Sequence, residues 1–343
     1  LGKPSLFPRA IEVLFGLTRF THFAVGMFIV LSGYCLMLPV ARSADGQLPG
    51  GVTDYLKRRA RRILPPYYAA LFGSILLILL IPAMRQPNGT RWDLTAPQLT
   101  FGSVISHLLL IHNLGPWINK IDGPMWSVGM EWQIYFLFPL LLLPVWRRFG
   151  NLAAMATGLA IGLAAHFLRP QIDDTCPWYI GLFAFGMAAA AINFSTRPHF
   201  VALRDRVWWG TFALVFGAVP VAVICRRPDL MWARAYLMDP LVGLGEACLL
   251  IYLANGVRSE RPSPIARFLT LPAVFALGTF SYSLYLIHVP VLEVAALAFK
   301  PLRLSNEITM ALILTVIVPL CVILAYLFHL AFEKPFMRPR SNR

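Results

Sequence analysis

Charge is scarce in this chain. Only 13% of its 343 residues are charged, and 16 of them are acidic. A soluble domain carries about 25% charged residues, so a surface that faces water throughout is excluded. Several familiar sites are missing as well: there is no GxGxxG, P-loop, HExxH or GxSxG pattern. Cysteine is sparse and odd in number, five, with no CxxC and no Cys/His spacing. Cys35 and Cys248 sit inside apolar runs and Cys225 ends one, which points to free thiols and to no metal site. No internal repeat of the kind transporters carry is visible. No apolar run or signal peptide occurs before residue 23.

What the chain does have is apolar length. Hydrophobic residues make up 58% of it, and the mean hydropathy is +0.65, values of an integral membrane protein with one membrane domain. The net charge of +14 would suggest nucleic acid in a soluble protein. Here Lys and Arg cluster between apolar runs, as the positive-inside rule requires, so no nucleic-acid partner is expected.

The apolar runs predict an all-α polytopic fold of about nine spans: 23–41, 63–83, 124–145, 152–168, 177–194, 208–225, 236–254, 272–294 and 309–331. The segment 101–116 is apolar but short, and holds His107, His112 and Asn113. If it does not cross, most Lys and Arg fall on one side, so a re-entrant or surface helix is expected there. Residues 1–22 then lie on the far side. The basic run Lys57-Arg58-Arg59-Ala60-Arg61-Arg62, Trp146-Arg147-Arg148 and the tail Glu333–Arg343 are cytoplasmic. The basic run is a topological anchor or an anion site; Arg59 and Arg62, three apart, share a helical face and suit phosphate.

Gly123–Pro144 is the informative stretch: it is long enough to cross a bilayer and carries one carboxylate, Glu131. At helical spacing Ser127, Glu131 and Tyr135 share one face. With the membrane edge at Gly123-Pro124, Glu131 lies about 10 Å deep at 1.5 Å per residue. An ionised carboxylate there needs a partner, water or a proton. Either Tyr135, Ser127 or a distant Arg satisfies it, or it serves a substrate. Other polar groups within spans are few. Asp239 stands just before Pro240, where a helix-start role is ordinary; Glu246, seven residues on, has no evident partner. Ser281, Tyr285 and His288 share a face, as channel-lining or interhelical groups, and Pro290 then breaks or kinks that helix. His22, at the edge of the first span, is expected to be interfacial. Asn88-Gly89-Thr90 matches a glycosylation sequon, a motif too short to carry weight.

Five stretches, in order, resemble the membrane-integral acyltransferase family 3, whose members include bacterial O-acetylases. Phe23–Tyr34 is similar to its GVDLFFVLSGF segment. Asp54–Tyr68 resembles its RxxR motif followed by I-x-P-x-Y, with Arg59 and Arg62 at the two Arg positions. Trp126–Pro139 resembles its WSL-x-x-E-x-x-F-Y-x-x-x-P segment, matching Trp126, Ser127, Glu131, Tyr135 and Pro139. Tyr179–Ala188 is similar to F-x-x-G-M-x-x-A, and Phe280–Pro290 to SYSLYLxHxP. There are two departures. The family opens with a span carrying Arg-x10-His, whose His is the catalytic group, and residues 1–22 do not hold it. One further span ahead of the nine is therefore expected. Gly26 stands where many relatives have Asp.

The resemblance implies O-acyl transfer from cytoplasmic acyl-CoA, with acetyl-CoA as the expected donor, to a hydroxyl of a cell-envelope carbohydrate. No bound cofactor is implied. Arg59 and Arg62 would hold the phosphates of coenzyme A. Attack by a hydroxyl needs a base, and His suits the task. Glu131 would orient the base or hold the acceptor, and His288 is a replacement base. Trp126, Ser127, Tyr135 and Tyr285 would position the acceptor. The alternative is a proton-linked transporter or a non-catalytic truncated relative, since intramembrane Glu and His suit proton transfer too. The resemblance further implies a bacterial inner membrane.

Overall fold

The computed structural model describes residues 20–94 and 97–337. The stretch with Arg9, Glu12 and Arg19, and the last six residues of the basic tail, lie outside the described residues. The described chain is helical, and no strand occurs in it. The principal helices are α1 (Thr21–Arg42), α2 (Gly51–Leu80), α3 (Phe101–Leu108), α4 (Met125–Leu137), α5 (Asn151–Leu168), α6 (Tyr179–Phe194), α7 (Pro198–Arg206), α8 (Trp209–Arg226), α9 (Ala235–Arg258) and α10 (Ser281–Phe299). Eight described helices are long and apolar enough to cross a bilayer; α6 and α7, bent by 98°, count as a ninth if read as one broken span. α4 runs on through a π turn at Phe138–Leu142 to Phe149, and the last candidate span is Ile308–Phe336.

Local chemistry moved three boundaries. The second span begins earlier than its apolar run, because α2 starts at Gly51 and takes the whole basic run into its first turns. The apolar run 272–294 is divided at Phe280 into a short helix, Pro272–Thr279, and α10. Pro290, a helix breaker by type, stands inside α10 without ending it. The eight residues of α3 span only about 12 Å, far short of a bilayer. Thr100 and Ser103 close its N-terminus with a reciprocal capping box.

Among the described residues the chain forms two compact units. One comprises Phe20–Leu56 and Glu131–Val274, with α6 as its central post: every residue from Tyr179 to Asn193 is buried. With no water in hydrocarbon to drive helices together, close packing of small residues does so. At the crossing with α1, a Cβ on Gly33 would stand 2.0 Å from the carbonyl oxygen of Phe183, and one on Gly186 would stand 1.9 Å from that of Val30. Backbone therefore lies on backbone at both points.

The other unit comprises Lys57–Met130 and Phe275 onward. Polar pins hold it. Tyr67 and Tyr68 of α2 donate to the carbonyls of His107 and Leu108 at 2.9 and 2.8 Å, fastening α3. Tyr282 donates to the carbonyl of Ile63 at 3.2 Å. Ser283 donates to Glu333 at 2.6 Å, and His329 meets the same carboxylate oxygen at 2.8 Å. Glu293 accepts from the side chains of Asn88 and Thr90, so both polar side chains of the sequon are spent inside the protein.

The α1–α6 crossing generates a prediction. Gly186→Ala forces the two helices apart, and overpacking of this kind costs at least about 3 kcal/mol where backbone cannot yield. Gly217→Ala, whose Cβ meets nothing within 4 Å, is the control. Thermal unfolding in detergent should show a large loss for the first and none for the second. Equal midpoints would show that the crossing does not hold the unit.

Candidate active site

α4 brings Ser127 toward α10. The Tyr285 hydroxyl lies 2.9 Å from the carbonyl of Pro124. Ser127 lies 2.6 Å from that hydroxyl. Ser127 Oγ also lies 3.2 Å from the same carbonyl, so the two hydroxyls and the carbonyl form a closed cluster in which either hydroxyl can serve as donor to the other. One turn further along α10, Nδ1 of His288 is 2.7 Å from the carbonyl of Tyr285. A carbonyl only accepts, so Nδ1 carries the proton, and in the neutral ring Nε2 keeps its lone pair. His288 is half-buried. Trp126, beside Ser127, is half-buried too.

Glu131 is buried, 6% exposed. Tyr135, one turn on, donates to its Oε1, and Ser32 of α1 lies 3.2 Å from the tyrosine hydroxyl. The carboxylate thus finds a partner on its own helix face, among the candidates that helical spacing allows. These three residues belong to the unit built around α6, whereas Ser127, Tyr285 and His288 belong to the other.

Arg59 and Arg62, both on α2, differ in setting. Arg62 is exposed. Arg59 is half-buried, and its Nε is fully buried with no hydrogen-bond partner among the described residues. A guanidinium N–H left in this state is costly unless something else supplies an acceptor.

Two constellations escape a reading of the sequence alone. His22, interfacial by position in the sequence, has a side chain only 6% exposed and is paired with Asp239: its Nε2 lies 3.0 Å from Oδ1 and 2.9 Å from Oδ2. Asp239 is therefore not a helix-start residue, and the indole N–H of Trp178 donates to its Oδ2 at 2.7 Å. Cys176 joins them, the potential ligand atoms of all three lying within 4.8 Å of one another. The pairing partners are 217 residues apart, beyond any periodicity. Glu246 keeps a buried, unpartnered Oε2. None of the five cysteines, all within the described residues, forms a disulfide.

The second constellation lies between α2 and the start of α4. The rings of His107 and His112 stack at 4.0 Å and 10°. Burial holds the His107 pKa down to about 4, against the hydrogen bond to the Ser103 carbonyl. Burial and the neighbouring His107 take His112 to about 3. Both rings are therefore neutral near pH 7, as stacked imidazoles must be. Asp122 accepts from Ser74 at 3.0 Å, its Oδ1 is buried without a partner, and burial pushes its pKa up to about 7.

Asp122 gives a pH signature. Its folded pKa stands above that of the unfolded carboxyl, about 3.9. Folding therefore holds a proton that the unfolded chain has shed between about pH 4 and pH 7. The associated stability is present below pH 4 and is lost as pH rises through 7. An Asn has no such dependence. The stability of Asp122→Asn relative to the parent should rise with pH across that window, measured as the difference in thermal midpoint. A difference that stays flat would show an ionised Asp122 throughout.

Residues 3–330 match the model of a family described as an acyltransferase domain. Two curated relatives fit. An acyltransferase of Streptomyces mycarofaciens, MdmB, is 24% identical over 315 residues, 82% of this chain and 70% of the relative. A putative peptidoglycan O-acetyltransferase of Bacillus subtilis (strain 168), YrhL, is 23% identical over 340 residues, 91% of this chain and 50% of the relative. The chain thus spans about half the length of the second. No solved structure matches. The family model covers nearly all of the membrane domain and all five of the motif stretches, and the chain belongs to this family of membrane acyltransferases.

Proposed function

We propose that the protein moves an acyl group, acetyl in the first instance, from cytoplasmic acyl-CoA to a hydroxyl of a cell-envelope carbohydrate or a related acceptor. The hydroxyl oxygen attacks the thioester carbon, a base takes the hydroxyl proton, the C–S bond breaks, and the coenzyme leaves as a thiol. The Bacillus relative is named a putative peptidoglycan O-acetyltransferase, which makes a sugar hydroxyl the first acceptor to try.

Arg59 carries the donor side. Its buried, unpaired Nε lies within the basic run that the positive-inside rule assigns to the cytoplasm. A phosphate of coenzyme A supplies the missing acceptor, and Arg62, exposed one turn on, reaches a second. Beneath it Tyr67 and Tyr68 pin the helix to α3.

His288 is the base in this proposal. The Tyr285 carbonyl fixes its tautomer, which leaves Nε2 to take a proton, the role an oriented imidazole has in acyl transfer. Ser127, Tyr285 and Trp126 position the acceptor. Glu131, which accepts from Tyr135, is the acceptor-holding carboxylate of this proposal. The proposal includes a bacterial inner membrane, with the basic C-terminal tail on the cytoplasmic side as the positive-inside rule favours.

Transfer of label from acetyl-CoA to envelope material, in membranes carrying the full-length protein, tests this. Arg59→Ala should raise the donor KM by about 10-fold or more, the size of a charge-assisted contact. His288→Ala should lower kcat about 10²–10⁴-fold, the range of a general base. Label unaffected by Arg59→Ala and Glu131→Ala would overturn the site, and no label from the parent protein would overturn the donor or the acceptor class.

A further inference from the structure

We propose that His22, Cys176 and Asp239 form a binding site for one divalent transition ion of the zinc type, at the ends of α1, α6 and α9. His22 is the second residue of α1, Cys176 stands three residues ahead of α6, and Asp239 is the fifth residue of α9. Counting spans in chain order with α6 as one, these are the first, fifth and seventh, so they run the same way across a bilayer. Their starts then share one face, and their ends, at Arg42, Phe194-Ser195 and Arg258, share the other. Three ligands far apart in sequence thus converge at one membrane surface. All three residues belong to one unit.

The donor set suits the ion. Imidazole, thiolate and carboxylate are the three side-chain ligand types of zinc. Ligand atoms around a tetrahedral zinc stand about 3.3–3.8 Å apart, given bonds of about 2.0–2.3 Å. The present spread of up to 4.8 Å closes with an inward movement of about 1 Å. One thiolate and one carboxylate cancel a double positive charge, so the filled site is neutral, the least costly state to bury near hydrocarbon. Asp173 and Asp174, in the turn that leads to Cys176, add negative potential toward a cation.

The surroundings are those of a supported ligand set. The Trp178 indole holds Oδ2 of Asp239, leaving Oδ1 to coordinate. The His22 ring packs edge-on to Trp232 at 4.7 Å, which fixes its plane. The hydroxyl of Tyr179 is 3.4 Å from His22 Nε2, next to a fourth position. An ion pair between His22 and Asp239 accounts for those two residues alone. The buried thiol, 4% exposed and hydrogen-bonded with Tyr179, lies outside that pair, and it is the ligand that selects a zinc-type ion over magnesium or calcium. The bound ion would act as a staple across three helices, whatever reaction the protein performs.

The experiment is metal analysis of the full-length protein purified without chelator, followed by chelation and titration with Co²⁺. About one ion per chain is expected, together with the near-ultraviolet thiolate-to-cobalt band and visible bands of a tetrahedral site. Cys176→Ser, which preserves the His22–Asp239 pair, should lose the thiolate band. Trp178→Phe should weaken binding about 10–100-fold, the usual effect of removing a ligand's supporting hydrogen bond. Retained helical circular dichroism shows that each variant is folded. A folded parent that takes up no Co²⁺, or a thiolate band that persists in Cys176→Ser, would overturn the site. Neither outcome depends on acyl transfer.

Discussion

A polar atom in hydrocarbon must find its partner inside the protein, and that constraint organises this molecule. Few polar side chains enter the spans, and most of those that do are spoken for. Glu131 has Tyr135, Asp239 has His22 and Trp178, Glu293 has Asn88 and Thr90, and Glu333 has Ser283 and His329. Each pairing fixes a helix at a set height and rotation. Dispersion between glycine-lined faces supplies the rest. Among the exceptions are Arg59 Nε, Asp122 Oδ1 and Glu246 Oε2, with His112 and the second oxygen of Glu333, which are buried without a partner among the described residues.

The family assignment bears on how these groups work together. An acyltransferase needs polar groups where it reacts, and few polar side chains enter these spans. In the unit built from Lys57–Met130 and Phe275 onward, the Ser127 and Tyr285 hydroxyls share the Pro124 carbonyl, and His288 is held by the carbonyl of Tyr285. Such a cluster needs no charged residue, which keeps its cost low inside a membrane. The carboxylate that the motif also carries, Glu131, accepts a hydrogen bond from a tyrosine on its own helix.

Much of this was legible in the amino-acid sequence, for a physical reason. Apolar runs, basic clusters and i, i+4 spacing are local properties, so the helical class, the short non-crossing α3 and the contact between Glu131 and Tyr135 follow from nearest neighbours along one helix. Boundaries were less legible. Hydropathy sees where apolar residues begin, whereas α2 already contains the basic run, since arginine and lysine are good helix formers, and starts six residues ahead of it at Gly51. Long-range pairs were not legible at all. His22 alone resembles an interfacial residue, and Asp239 before a proline resembles a helix start. Only the packing of α1 and α9 makes them one pair. The motifs carried the family because they are short and local. The Cys176 cluster belongs to no motif.

The tethers on α10 have a further consequence. The helix is fastened through Tyr282 and Ser283 near its start, and through Glu293 to the loop at Asn88 and Thr90 farther along. Tyr285 and His288 lie between those fastenings, within about three helical turns. A segment clamped at both ends and this short has little room to twist. Its conformational entropy was surrendered when the chain folded, not when a ligand arrives. Tyr285 and His288 are therefore fixed in place beforehand, and whatever ordering an encounter with them would demand of this segment has been settled in advance.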